Sequence, residues 1–298
     1  MVQTTTNSSS DAGDVSLRKW ICWDGEAPTE PTSTLVLTSP SNTFIDIRLL
    51  LPTPHTPAAE RPLPNTGGPL DRLDWAFAGV SESLPPIELP HAQQHASSFA
   101  PLAPIDVAAL RTDGEGVASV PRKRWRHVID SRCKYGEVPG ADEGEMYPVQ
   151  RGSKGAGEEC LEMGRMERWK GSGVVWGYQE LWVSLEAKPV VGDSLRRGVV
   201  LSLDMPEHKA RGSVIRVGQF VQGLLMIDDE VTVERWEFCL GPQNRTVPEW
   251  RRIAKLGSRF LPCAWTFEDG QASVAARPVG SELVHGEMCW KLQERFEW

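Results

Sequence analysis

The chain has 298 residues, which is enough for two ordinary domains or one large β structure, and 40% of its residues are hydrophobic. Its formal net charge of -8 argues against nucleic-acid binding and against adsorption to anionic membranes, since both need a basic surface. The composition includes 12 Trp against 3 Tyr. Trp is the largest side chain available to fill a barrel or to line a ligand cavity.

The cysteine spacing and the N-terminus bear on the cellular compartment. Six cysteines are spread along the chain without any C-x-x-C pair, so the spacing indicates neither a zinc site nor a redox site. The N-terminal segment has neither the basic nor the apolar region of a signal peptide. We therefore expect buried free thiols in the reducing cytoplasm. The longest apolar run, residues 214–227, is too short and too polar to span a membrane, which predicts no membrane insertion.

The first half of the chain contains three β signals after a polar tail at residues 1–15, which we expect to be disordered. Residues 33–38 and 43–49 flank the turn sequence SPSN and predict a β-hairpin. The stretch LDWAFAG, residues 73–79, predicts a strand with its two rings on one face and two alanines on the other. RKRWRHVID, residues 122–130, alternates in the same way.

The second half repeats this style after residues 136–168, which are rich in Gly and Glu and are interpreted as a linker between domains. Several short apolar segments follow, and only residues 247–256 show a helical spacing of apolar positions. We predict a mainly β protein with two lipocalin-like antiparallel β-barrels in tandem and few short helices. The barrels are assigned to residues 16–135 and 169–298, and a β-sandwich predicts almost the same pattern.

Five segments occur in an order that resembles the fungal Hri-type family: STLVLTSPSNTFIDIR, DWAFAG, RWRHVIDS with Cys133 and then MYPV, QELW, and IRVGQFVQGLL. The resemblance covers roughly residues 35–226, with longer loops at 52–69, 84–104 and 136–168. It implies two lipocalin-like barrels, a cytoplasmic and also nuclear location, and interaction with a casein-kinase-1-type kinase. It implies no established catalytic activity.

Candidate ligand-binding residues come from strands that carry polar or aromatic side chains on one face. Asp46 and Arg48 share a strand face, which could either line the barrel as a buried acid–guanidinium pair or face water. Arg216, Gln219 and Gln222 interrupt an apolar stretch, as a wet cavity or a structural polar network would require. The full set of candidate ligand-binding residues is Arg48, Trp75, Phe77, Trp125, Glu180, Trp182, Arg216, Gln219 and Gln222.

Motifs for catalysis, cofactors and metals are missing. The chain has no G-x-S-x-G, no P-loop and no dinucleotide G-x-G-x-x-G. His91 and His95 have helical metal-ligand spacing but no accompanying Glu, so we expect a solvated loop there. The basic run PRKRWRH is interpreted as a strand with a solvated charged face and Trp125 directed inward, with a nuclear-import or phosphate-binding signal as the alternative. We expect no cofactor, no metal and no catalytic residues.

Three functions fit this sequence. The first is a non-catalytic protein that binds a protein partner, a small apolar ligand, or both. The second is an isomerase or cyclase that uses a lipocalin-like cavity as a template for a hydrophobic metabolite, which would leave no sequence motif. The third is a structural adaptor whose barrels are filled. The discriminating observation is whether a large cavity lies at Trp75, Phe77 or Gln219, because a filled interior would exclude both ligand binding in the first function and the second function.

Overall fold

The computed structural model describes residues 11–57, 60, 62–89, 100–112, 116–149, 157–169, 171–190, 194–239, 248–267, 273–274 and 276–298. These residues form sixteen strands and three short 3-10 turns, Val107–Ala109, Pro206–His208 and Pro262–Thr266. The predicted mainly β class is confirmed. The candidate metal ligands His91 and His95 lie outside the described residues.

The first sheet has nine strands. They are β1 Asp14–Trp23, β2 Thr32–Thr38, β3 Thr43–Leu50, β4 Leu73–Glu88, β5 Arg111–Thr112, β6 Ala118–Asp130, β7 Ala141–Pro148, β8 Glu159–Glu167 and β9 Val175–Ser184. Their order is β4-β3-β2-β1-β9-β8-β7-β6-β5, and every pairing is antiparallel. Since β4 also pairs with β6, eight of these strands close into a barrel and β5 extends its edge.

The second sheet has seven strands. They are β10 Arg197–Met205, β11 Ala210–Val217, β12 Phe220–Ile227, β13 Glu230–Cys239, β14 Glu249–Leu256, β15 Glu282–His285 and β16 Met288–Glu297. Their order is β14-β13-β12-β11-β10-β16-β15. Within the described residues the edge strands β14 and β15 do not pair with each other, so this sheet is open where a second closed barrel was expected.

Two segments have a different structure from the one their sequence suggests. The segment 136–168, interpreted as a linker, contains β7 and β8, and β9 also completes the first barrel, so the connection between the two sheets is residues 185–196. Apolar residues of β7 and β8, among them Tyr147, Leu161 and Met163, are fully buried despite the Gly- and Glu-rich composition. The predicted helix at 247–256 is instead β14, because pairing with β13 overrides a helical spacing of only four apolar residues.

The hairpin and the strand LDWAFAG adopt the predicted arrangement. β2 and β3 form the antiparallel hairpin, and β4 pairs with β3. Trp75 and Phe77 lie inside the barrel, whereas Ala76 and Ala78 belong to the core that joins the barrel to the second sheet. Small side chains on this outer face allow the two sheets to pack closely.

Gly79 is needed for closure of the barrel. The strand does not end there but continues to Glu88, with a β-bulge between Ala78 and Gly79 where β4 meets β6. A Cβ at Gly79 would lie 1.8 Å from the Arg126 carbonyl oxygen. The glycine therefore allows the two backbones to approach at the seam that completes the ring.

The barrel and the second sheet also share a buried polar network. Gln222 on β12 donates from Nε2 to the carbonyl oxygens of Leu35 and Ile45 at 2.9 and 3.2 Å. Arg235 on β13 donates to Gln222 Oε1 at 2.9 Å, to Ser33 Oγ and O at 2.8 and 3.2 Å, and to Ile47 O at 2.7 Å. These bonds fix the position of the second sheet on the β2–β3 hairpin.

Candidate functional site

The barrel interior contains a cavity of about 760 Å³. Its rim is formed by exposed residues at one end of the strands, among them Asp14, Asn42, Lys123 and Glu158. Its floor is formed by buried polar residues near the middle of the barrel. The interior is therefore hollow, which argues against a purely structural adaptor with filled barrels.

Aromatic and other apolar side chains form part of the cavity wall. Phe44, Phe77, Trp125 and Trp182 line it, together with Val36, Met146 and Met166. The rings of Phe44 and Phe77 meet edge to face at 5.9 Å between centroids. These residues come from β2, β3, β4, β6, β7, β8 and β9, so only the closed barrel brings them together.

A chain of charged groups forms the floor. Arg48 donates from Nε and Nη2 to Asp46 Oδ2 at 3.0 and 2.9 Å, and from Nη1 to Glu180 Oε1 at 3.3 Å. Glu180 also accepts from Arg18, whose guanidinium reaches Glu30 on its other side. All of these except Glu30 are less than 9% exposed. The floor is therefore a buried ionic network.

Burial acts in opposite directions on the floor's acids and bases. Burial alone would lower the pKa of Arg48, but Asp46 and Glu180 outweigh it and raise that pKa, so Arg48 stays charged. For Asp46, burial raises the pKa by more than Arg48 lowers it. The Oδ1 atom of Asp46 is buried and has no hydrogen-bond partner among the residues that the structure describes. One carboxylate oxygen of the floor therefore has an unused acceptor site.

Glu162 is a second acid of the interior and lines the cavity. On β8 it lies directly across from Glu180 on β9. Its carboxyl group accepts hydrogen bonds from the Tyr178 hydroxyl at 2.7 Å and from Trp182 Nε1 at 3.0 Å. Burial, and then the neighbouring Glu180, raise the pKa of Glu162 to about 8. This carboxyl group is therefore predominantly protonated at neutral pH.

His127 lies between two acids behind the aromatic wall. Its Nδ1 is 3.2 Å from Asp130 Oδ2 and its ring stacks on Phe77 at 4.2 Å between centroids. Its Nε2 is 3.3 Å from Asp142 Oδ2, close enough for an ion pair but too poorly aligned for a hydrogen bond. Burial alone would lower the pKa of His127, but Asp130 and Asp142 raise it to about 9. The imidazole therefore contributes a positive charge beside the cavity.

A smaller pocket of about 230 Å³ lies at the other end of the barrel, beyond the charged floor. Arg48 lines both spaces. The smaller pocket is lined by Trp75, Trp23 and Trp169 and by the guanidinium groups of Arg18, Arg132 and Arg168. Arg132 lies over the Trp75 ring at 4.3 Å, and Trp75 Nε1 donates to Asp130 at 2.8 Å.

The structure brings together most of the residues predicted from the first barrel. Arg48, Phe77, Trp125, Glu180 and Trp182 all line the large cavity. Trp75 is adjacent but faces the smaller pocket. The question left open for Asp46 and Arg48 is answered, since both lie inside the barrel.

The three residues predicted from the second sheet lie elsewhere and do not line the large cavity. Gln222 holds the barrel against the second sheet. Gln219 binds the backbone of Lys188 and Glu186 in the connection between the sheets. Arg216 donates to the carbonyl oxygens of Gly218 and Thr266 and lies over the Trp250 ring. For these residues the structural network is the account that the contacts support.

Sequence reasoning missed Glu162, Tyr178 and Asp142. Glu162 and Asp142 fall within the presumed linker. Tyr178 precedes Glu180 by two residues, and the alternation of Tyr178, Glu180 and Trp182 was available in the sequence to place it on the same face.

The described residues offer neither a metal site nor a membrane-spanning helix. They contain no group of three or more His, Cys, Asp or Glu side chains placed to hold a metal ion. No helix in the described parts of the chain has the length and apolar character needed to cross a membrane. All six cysteines are free, with Cys22 and Cys263 buried and the others partly exposed.

A closed barrel with a hollow, polar-floored interior, packed against an open sheet, defines this chain as a cavity-bearing β-barrel protein. Residues 14–294 match the family model described as Protein HRI1, and the chain belongs to this HRI1 family. No curated protein matches the sequence. The crystal structure of an uncharacterized protein from Saccharomyces cerevisiae has the same fold, with a TM-score of 0.60 and 14% sequence identity over 95% of this chain and 98% of that one.

Proposed function

We propose that the barrel binds a small amphipathic molecule. The observation that carries the proposal is the cavity of about 760 Å³, which runs from an exposed rim to a buried floor. Sites for drug-sized molecules and cofactors commonly have volumes of about 300–1,000 Å³, with apolar walls and a few polar groups. The aromatic walls and the floor at Asp46, Arg48 and Glu180 have this composition.

The charged floor changes the class of ligand that the sequence suggested. A wholly apolar molecule would cover the buried carboxyl groups of the floor without offering a donor to Asp46 Oδ1, which has no partner among the described residues, and this costs free energy. A molecule with one polar end avoids that cost and still buries its apolar part against the rings of Phe77 and Trp125. The proposed ligand is therefore amphipathic rather than purely apolar.

Native mass spectrometry of the protein purified gently from a fungal host tests this proposal. We expect a small-molecule adduct on the wild type that is lost in Val36→Trp, because Val36 lines the cavity and the larger ring occupies it. Val128→Trp is the matched control, since Val128 is 49% exposed and does not line the cavity. A bare mass for the wild type, with no saturable binding of the neutral dye Nile red, would overturn the proposal.

The family resemblance makes a casein-kinase-1-type kinase a second proposed partner, located with this protein in the cytoplasm and nucleus. The support for it is the resemblance alone. Sedimentation of the full chain mixed with a purified kinase of this type tests it. A complex at micromolar concentrations would support the interaction, and independent sedimentation of the two proteins would remove it.

A second candidate function is catalysis by Glu162. A carboxyl group that is protonated at neutral pH and lines the cavity can donate its proton to a bound hydrophobic molecule, as an isomerisation or cyclisation requires. The molecule would return a proton to the carboxylate at the end of the reaction. If Glu162 acts in this way, Glu162→Gln retains the ligand but no longer converts it to a product of equal mass and different retention time. A ligand released unchanged from the wild type would exclude this candidate.

A further inference from the structure

We propose that the molecule bound in the barrel carries a protonated amine, and that this amine is bound at the floor beside Asp46. This inference rests on the proposed ligand-binding function and specifies the chemical class of the ligand. It is carried by the charge balance of the cavity, by an unused oxygen in its floor and by the aromatic walls.

The residues that line the cavity carry more acidic than basic groups. Three are basic, Arg48, Arg111 and Lys123. Six are acidic, Asp14, Asp46, Asp142, Glu158, Glu162 and Glu180. Because Glu162 is predominantly protonated at neutral pH, five carboxylates face three basic groups. At the floor, Arg48 is the one basic lining residue beside the buried carboxylates of Asp46 and Glu180. A cation therefore gains more from this end of the cavity than an anion does.

The guanidinium groups near the floor are already engaged. Arg48 binds Asp46 and Glu180, and Arg18 binds Glu180 and Glu30. Arg235 approaches Asp46 from outside the barrel wall, but it donates to Gln222, Ser33 and Ile47 instead. An anionic ligand would have to compete with these carboxylates.

Asp46 offers an acceptor that the protein does not use. Its side chain is about 97% buried. In the described part of the chain its Oδ1 has no hydrogen-bond partner, whereas Oδ2 receives two bonds from Arg48. An unsatisfied carboxylate oxygen in a buried site is costly unless a donor reaches it. An ammonium group carries three N–H donors and a positive charge, which match this oxygen and the surrounding acids.

The walls favour the same class of ligand. Phe44, Phe77, Trp125 and Trp182 present rings around the space above the floor. Aromatic rings attract cations through their negative faces, and this attraction grows when water is excluded. Glu162 lies directly opposite Glu180 and is predominantly protonated at neutral pH, and a bound ammonium group would stabilise its ionised form.

Three probes with one apolar body and different polar ends test the inference: 1-naphthylmethylamine, 1-naphthalenemethanol and 1-naphthoate. Binding to the full chain is measured by calorimetry at pH 7 and by quenching of Trp fluorescence. We expect the amine to bind at least about tenfold more tightly than the alcohol and the carboxylate, as one charge-assisted hydrogen bond in a buried site supplies.

Substitutions then locate the amine. We expect Asp46→Asn to weaken the amine about tenfold or more and the alcohol less than about twofold, because only the amine loses a charge interaction. Glu158→Gln is the matched control, since it removes one acid from the exposed rim and leaves the floor intact. Calorimetry of the wild type in two buffers with different ionisation enthalpies gives a readout that does not depend on whether Asp46→Asn folds. We expect the amine to release protons from Glu162 at pH 7 and the alcohol to release none.

The outcomes separate the inference from the function it rests on. Equal affinity for the amine and the alcohol, or tighter binding of the carboxylate, would overturn the amine while leaving the cavity as a binding site. Binding of none of the three probes would overturn the inference, and together with a bare native mass it would overturn the proposed function. If Asp46→Asn and Glu158→Gln weaken the amine equally, the amine responds to the net charge of the cavity and not to a site at the floor. That result would also refute the floor site.

Discussion

Replacing Arg235 by Met should weaken the attachment of the second sheet to the barrel, because it removes the guanidinium group and keeps a long side chain. The guanidinium makes four hydrogen bonds to Gln222, Ser33 and Ile47. At about 2 kcal/mol for each bond to a charged donor, they are worth roughly 8 kcal/mol.

The cost of burying the charge reduces this sum. Burial lowers the pKa of Arg235 to about 10. Since a tenfold change in acidity corresponds to about 1.4 kcal/mol, the buried charge costs the fold roughly 3 kcal/mol. Arg235→Met should therefore lower the free energy of unfolding by about 3–5 kcal/mol, because Met packs well but leaves buried acceptors without donors.

Thermal unfolding followed by circular dichroism measures the effect. For a chain of this size, we expect Tm to fall by about 10 °C in Arg235→Met. Arg251→Met on the neighbouring strand β14 is the control, because the Arg251 side chain is 44% exposed and forms an ion pair with the exposed Glu249. This substitution should cost no more than about 1 kcal/mol. The double variant with Gln222→Leu should show a coupling energy of about 1–2 kcal/mol. A Tm within about 2 °C of the wild type would refute the role given to this network.

Three further measurements test the interior and the seam of the barrel. The pKa of Glu162 is raised in the fold, so its contribution to stability is fully present below about pH 4.5 and is lost as the pH rises to about 8. Urea unfolding at a series of pH values should show this loss, and Glu162→Gln should reduce it. An unchanged pH profile in that variant would contradict the assignment. NMR of the His127 ring protons should show a titration near pH 9, and the stability that the charged ring contributes should be lost between about pH 6.5 and 9. A titration midpoint below about 7 would mean that Asp130 and Asp142 do not stabilise the protonated ring. Gly79→Ala should lower the free energy of unfolding by about 3 kcal/mol, because the new Cβ clashes with the Arg126 carbonyl. Gly140→Ala, where nothing lies within 4 Å of the new Cβ, should be nearly neutral. Equal unfolding midpoints for the two variants would refute the steric argument.

Strand existence and facing were predictable from sequence where a strand alternates cleanly. In β3 the apolar Ile45 and Ile47 face the second sheet and the polar Asp46 faces the cavity, as the period of two requires. In β4 the same rule separates Trp75 and Phe77 from the alanines. These strands have β-branched or aromatic residues at alternating positions, so local pattern and tertiary packing agree.

The features that were not predicted depend on which strands pair with each other, and the local pattern of a single sequence does not show that. β7 and β8 are rich in Gly and Glu, so their strand character comes from pairing with their neighbours rather than from propensity. Glu162 lies opposite Glu180 because of the register between β8 and β9, which the sequence does not show. Gln222 could not be assigned to a cavity or to a contact between the sheets, because β12 is buried on both faces.

The order of the strands in the barrel has a consequence for how the protein is made. β1 lies between β2 and β9, and Ile21 pairs with Glu180, so the second partner of the first strand is synthesised some 160 residues later. During translation β1–β4 can form a meander, but one edge of β1 stays unpaired until β9, which ends at residue 184, has been synthesised. Long-range pairing of this kind slows folding, and an exposed strand edge invites association with other chains. A nascent chain that stalls anywhere before β9 therefore has no closed barrel and no interior cavity, and it leaves the edge of its first strand exposed.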